Sequence, residues 1–218
     1  MAATAAAGGG VGRWLYVGGI GLTLLLWILV SLVDAIALSV PTGLDATLFQ
    51  ITSASYEVAQ LLGWTLALVG AAVTRRGSAP SRVAGACIVG VGVLLTVMWM
   101  FVMRDEGAFV HDWNFRLRVL LMNTSVLVPL FVGWQVANRR PWWMSLVAGF
   151  TGLLVTGLLL GCSKMVGLVS GPLWSMDHGL ATTAYYLLHF TGYSILEALV
   201  VTAAVIGLHF LARVPDRR

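Results

Sequence analysis

Apolar residues in this chain fall into six long runs, and the polar residues collect between them. The runs are Trp14–Leu38, Ser53–Thr74, Val83–Met103, Leu117–Ala137, Trp142–Val169 and Thr182–Leu211. Each is long enough, at ~1.5 Å per helical residue, to cross a hydrocarbon layer ~30 Å thick. The breaks carry helix-stopping residues: Pro41-Thr42-Gly43, Gly77 to Pro80, Asp105-Glu106-Gly107, Arg140-Pro141 and Gly171-Pro172. Six such runs with almost no amphipathic surface predict an all-α, polytopic bundle of six transmembrane helices. The Ala/Gly-rich stretch 1–12 reads as a disordered tail, 13–213 as one transmembrane domain and 214–218 as a second short tail. No charged n-region precedes the first run, which is too long for the apolar core of a cleaved signal peptide.

Composition agrees with this class. Of 218 residues, 59% are hydrophobic and 10% charged, against ~25% charged in an average soluble domain. The net charge of +4 is distributed as doublets at run ends, so it marks topology and not a nucleic-acid surface. Arg13, Arg75, Arg76, Arg82, Arg139, Arg140, Arg213, Arg217 and Arg218 occupy one set of flanks and loops. Arg104, Arg116 and Arg118 occupy the other, beside Asp45, Asp105, Glu106, Asp112 and Asp177. The positive-inside rule then puts both termini in the cytoplasm, in a multi-pass protein of the cell (inner or plasma) membrane. Trp14, Trp113, Trp142, Trp143 and Trp174 stand at run ends, as interfacial anchors do. Gly18-Gly19, Gly149 with Gly152, and Gly157 with Gly161 offer places for close helix approach. Cys87 and Cys162 lie in apolar runs and read as packing residues.

The polar residues inside the runs carry what chemistry there is. Tyr185, His189, Tyr193 and Glu197 recur every fourth residue on the last run. That spacing keeps them near one helix face, drifting ~40° per step over ~18 Å. With the orientation above, Asp34, Glu57, Lys164 and His189 share the outer half of the membrane, and Glu197 lies near its midplane. Ionisable groups at such depth are costly unless paired or functional. The seven residues Asp34, Glu57, Lys164, Tyr185, His189, Tyr193 and Glu197 are therefore expected to line an outward-facing polar pocket. Lys164 paired with Asp34 or Glu57 is the expected ion pair, as a structural staple or as part of the site. Glu197 has no basic neighbour in sequence. It serves either as an interhelical hydrogen-bond donor or as a proton or cation site.

Metal and cofactor signals are weak. His111-Asp112 and Asp177-His178 place ligand-type residues on two outer loops, but no HxxxH or HExxH spacing is present. A bis-histidine haem needs a second histidine at the depth of His189 on another helix, and there is none. No P-loop, GxGxxG or GxSxG motif occurs. The sequence thus implies no cofactor, and its partners are the lipid bilayer and, potentially, other membrane subunits.

Two stretches resemble known families. Leu121-Met122-Asn123-Thr124-Ser125-Val126-Leu127 resembles the Leu-Asn-Thr start of the fourth helix in subunit III of haem–copper oxidases. Ser175-Met176-Asp177-His178-Gly179, then Tyr185-Tyr186 and Thr191-Gly192, resemble that family's Asp-Gly, aromatic pair and Thr-Gly. The similarity spans about residues 120–211. It departs at Tyr193 to Glu197, where the family carries two histidines, and at Val83–Met103, which lacks the family's membrane glutamate. It implies a non-catalytic subunit of a membrane complex, without the family's functional residues. The segment from Glu197 through Asp216 is similar to the C-terminal helix of cobalt and nickel energy-coupling transporter subunits, although their N-terminal Met-His-Ile is absent. The two functional expectations are a binding, transport or complex subunit, and an enzyme acting on a lipid or isoprenoid with Glu197 and His189 as acid and base.

Overall fold

The computed structural model describes residues 10–39, 45–104, 113–174 and 179–211. The described chain is helical, with no strand. The elements are α1 (Gly10–Ser39), α2 (Asp45–Val73), α3 (Ala79–Arg104), α4 (Trp113–Ala137), α5 (Trp142–Trp174), α6 (Gly179–Tyr186), a π-helical turn (Leu187–Gly192) and α7 (Tyr193–Leu211). Five helical stretches are long and apolar enough to cross a membrane; α6, the π turn and α7 together form the fifth. In α2 the apolar stretch, Glu57–Val73, is shorter. Every helix starts or ends beyond the apolar run that predicted it. Polar and small residues at the rims continue a helix once it is nucleated, so hydropathy under-reads the ends. Gly10 to Gly12, expected to be part of the tail, already belong to α1.

Helix neighbours follow chain order. α1 packs on α2, α2 on α3, α3 on α4 and α4 on α5, and the last helix closes the ring between α5 and α1. Glycines fix how close the first pair comes. A Cβ on Gly70 would lie 2.6 Å from the Gly12 carbonyl oxygen, and one on Gly12 2.8 Å from the Gly70 oxygen. Gly19 and Gly63 meet backbone to backbone in the same seam. Small residues let helices gain dispersion contact where lipid removes the hydrophobic drive between them. Of the glycines singled out above, Gly19 and Gly152 serve this way, while Gly18, Gly157 and Gly161 face open space.

These contacts also set direction. Gly12 opposes Gly70, Gly85 opposes Gly133, Gly152 opposes Val128, and Ser170 meets His189. Successive helices therefore alternate, and Arg13, the 74–78 connection, the 138–141 connection and His209 gather at one end. The interior holds Tyr16, Ile20, Leu24, Trp27, Trp64, Phe131, Leu159 and Val201. Leu25, Leu94, Leu154, Leu168 and Leu199 point outward, the inverse of a soluble surface. Buried hydroxyls cap themselves on carbonyls one turn back: Thr23 donates to the Gly19 oxygen at 3.0 Å, Thr96 to Gly92 at 2.9 Å and Thr156 to Gly152 at 2.9 Å.

α4 ends on a left-handed residue. Arg139 has φ 53°; its N–H donates to the Val136 oxygen at 3.0 Å and the Arg140 N–H to the Gln135 oxygen at 3.1 Å. This is a Schellman stop with arginine where glycine is usual. It folds the chain back so that Arg140 sits against the bundle and Pro141 leads into α5.

Candidate functional site

Three of the striped residues of the last helix, His189, Tyr193 and Glu197, line one cavity of about 250 Å³. α1 adds Trp27 and Ser31, and α5 adds Ser163 and Val166. Phe190 and Ser194 complete the lining. Three of the four striped residues thus line one space. Tyr185, the fourth, stands behind it, its ring stacked on His189 at 5.2 Å with 17° between planes.

The π turn explains this alignment. In an uninterrupted α-helix, a four-residue repeat walks off the face by ~40° per step. A π turn bonds i to i+5 and so holds more than 3.6 residues. Leu187–Gly192 lies across the His189-to-Tyr193 step, where the wider turn counters the drift. Three consecutive spacings of four, with no spacing of three among them, were the signal in the sequence for such a turn.

Two hydrogen bonds hold the lining. Ser170 Oγ and His189 Nδ1 lie 3.1 Å apart, tying α5 to the π turn. Ser170 is fully buried, so it orients the imidazole and does not reach the cavity. The ring's Nε2 is then the nitrogen left for a ligand, as donor or acceptor according to tautomer. Ser31 Oγ and Ser194 Oγ lie 2.6 Å apart and join α1 to α7 beside the cavity.

Glu197 is 7% exposed. It also borders a second void of about 10 Å³, with Gln60, Trp64 and Asn123 on its other walls. That void has room for about one water. The carboxyl therefore stands between a solute-sized cavity and a buried amide pair. Among the described residues, no lysine or arginine lines either space. The glutamine and asparagine were not foreseen, since nothing in sequence links α2 and α4 at that depth.

The remaining expected pocket members lie elsewhere. Lys164 is exposed, pointing away from the cavity that its neighbour Ser163 lines. One helical residue turns the side chain by ~100°, and the depth estimate carried no phase. Asp34 hydrogen-bonds Thr52 of α2 instead of meeting a lysine, and Glu57 is half-buried outside the cavity. Among the described residues there is no ion pair joining Lys164 to Asp34 or Glu57, so the expected staple is replaced by a hydroxyl bond. The weak metal candidates His111, Asp112, Asp177 and His178 lie outside the described residues. Among the described residues no group of three His, Cys, Asp or Glu side chains forms a metal-binding set. Cys87 is exposed and Cys162 half-buried, neither in a disulfide.

No protein-family model, no curated protein and no solved structure matches this chain. The resemblances to oxidase subunit III and to the energy-coupling transporters rest on the short segments quoted above.

Proposed function

We propose that the chain is a non-catalytic, six-span membrane protein with both termini in the cytoplasm, which binds a small cationic or hydrogen-bond-donating solute in the His189–Tyr193–Glu197 cavity. It acts as a binding or transport subunit, alone or within a larger membrane complex. The observation that carries this is the buried carboxyl of Glu197 at a cavity lined by hydroxyls and aromatic rings, with no lysine or arginine among the described residues of its lining. A carboxylate beside Trp27, Phe190 and Tyr193 suits an ammonium-type cation, through charge and through the ring faces. The volume of about 250 Å³ lies below the usual range of ~300–1,000 Å³ for drug-sized ligands, which favours a small solute over an isoprenoid chain. The enzyme reading, with Glu197 and His189 as acid and base, asks for a larger opening toward the lipid.

The test uses purified protein in nanodiscs and a panel of ammonium, methylammonium, tetramethylammonium and sodium. At least one cation raises the thermal midpoint of the parent protein in a saturable way. In Glu197→Gln its affinity falls about 10- to 150-fold, the loss of one charge-assisted contact worth roughly 1.5–3 kcal/mol. Equal affinity in both proteins removes Glu197 from the site. Turnover of an added isoprenoid or phospholipid that depends on Glu197 would instead select the enzyme.

A further inference from the structure

At the opposite end of the bundle from His189 lies another cavity, of about 370 Å³. Three arginines from three segments line it: Arg13 from the first turn of α1, Arg76 from the 74–78 connection and Arg140 from the 138–141 connection. His209, in the last turn of α7, joins them. No acidic side chain among the described residues does.

Its floor is built rather than incidental. Tyr16 and Trp134 stack at 4.2 Å with 17° between planes, and the Tyr16 hydroxyl donates to the Leu130 oxygen at 2.9 Å. Asn138 is pinned from both sides: Thr74 Oγ1 donates to its Oδ1 at 2.9 Å, and its Nδ2 donates to the Trp134 oxygen at 2.8 Å. The left-handed turn at Arg139 delivers Arg140 to the rim. Burial, and after it the neighbouring charge of Arg76, hold the Arg140 guanidinium below its usual pKa. Arginine stays charged in proteins, so an anion entering the cavity meets standing positive charge. One wall is different in kind. Val17, Ile206 and Phe210 line the cavity and continue onto the outer, apolar surface.

Converging arginines beside an apolar wall at the end of a helix bundle match one amphiphile. We propose that this cavity binds the phosphate headgroup of an anionic lipid, with an acyl chain lying along Val17, Ile206 and Phe210. Guanidinium forks pair bidentately with phosphate oxygens, and basic pockets between membrane helices are suited to acidic headgroups. The site is separate from the Glu197 cavity, and its failure would leave the solute reading untouched.

The experiment is native mass spectrometry of the full chain released from detergent, with phosphatidylglycerol or phosphatidylcholine added. Phosphatidylglycerol stays bound at least tenfold more than phosphatidylcholine. The combined variant Arg13→Gln, Arg76→Gln and Arg140→Gln loses that preference. Arg75→Gln with Arg82→Gln, which removes two arginines absent from the lining, keeps it. The variant with lysine at positions 13, 76 and 140 guards against misfolding: it retains charge and keeps at least part of the preference. Equal retention of the two lipids by the parent, or an unchanged preference in the triple glutamine variant, overturns the proposal. So does displacement of the lipid by micromolar inorganic phosphate, which would make the ligand a free anion. If phosphatidylglycerol binds only after Asp216→Asn, the chain's own tail occupies the cavity and the lipid assignment fails.

Discussion

Glu197 and Arg139 show what single residues bear in this molecule. Glu197 borders two spaces, and among the described residues no lysine or arginine lines either to balance the charge it would carry. A buried charge without a partner costs several kcal/mol, so the carboxyl must meet a proton, a cation or a hydrogen-bond network. That requirement connects a structural fact to a binding function. Arg139 bears a different load. Its φ of 53° puts an L side chain in a region that costs roughly 1–2 kcal/mol relative to the right-handed helix. Glycine has no Cβ to clash there and is the usual residue at this position of a Schellman stop. Arg139→Gly is expected to stabilise the protein by about 1 kcal/mol, read as a higher thermal midpoint in detergent. Phosphatidylglycerol retention should not change, because Arg139 does not line the basic cavity. A lower midpoint would mean that the guanidinium, and not the backbone, decides the matter.

At the scale of elements, the π turn is the part of the last helix that sequence pattern described least directly. A π turn amounts to one extra residue in an α-helix, and such insertions recur at functional sites. Here it sets the phase of α6 against α7. Deleting Thr191 should let the α-helix run through. The flanks stay nearly in phase, because the residue removed is the one the π turn absorbs, and His189 moves by only ~30° about the axis relative to Tyr193. Its bond to Ser170 and its aim into the cavity are disturbed locally. The expected result is unchanged far-UV circular dichroism, a thermal midpoint equal to or above the parent, and a weaker cation response. An undiminished response would mean that the π geometry is incidental to binding. The same logic explains the misplaced Lys164. Hydropathy fixes the depth of a residue on α5, but its rotation depends on which face meets the last helix. That face carries Ser163 and Val166.

For the whole molecule, the runs of apolar residues gave the helices, their order and their alternation almost directly, because lipid requires every spanning backbone to satisfy itself. Three of the seven expected pocket residues meet because they share one helix, where spacing alone carries geometry. Contacts between helices were less legible. Ser31, Ser163 and Ser194 are ordinary residues in apolar helices, and their meeting depends on ring closure by the last helix. The arginines were read only as markers of sidedness, although three of them also converge on a cavity. Sidedness itself makes the last test. With Cys87 and Cys162 replaced by serine, a single cysteine at the exposed Ser78 sits in the 74–78 connection at the arginine end. Positive-inside placement makes it inaccessible to a membrane-impermeant maleimide in intact cells and reactive in inverted vesicles. A cysteine at Gly107, between Glu106 and Ala108, should show the opposite pattern. Reversal at both sites would put the Glu197 cavity toward the cytoplasm and the basic cavity outside, facing a leaflet where the positive-inside rule places few arginines.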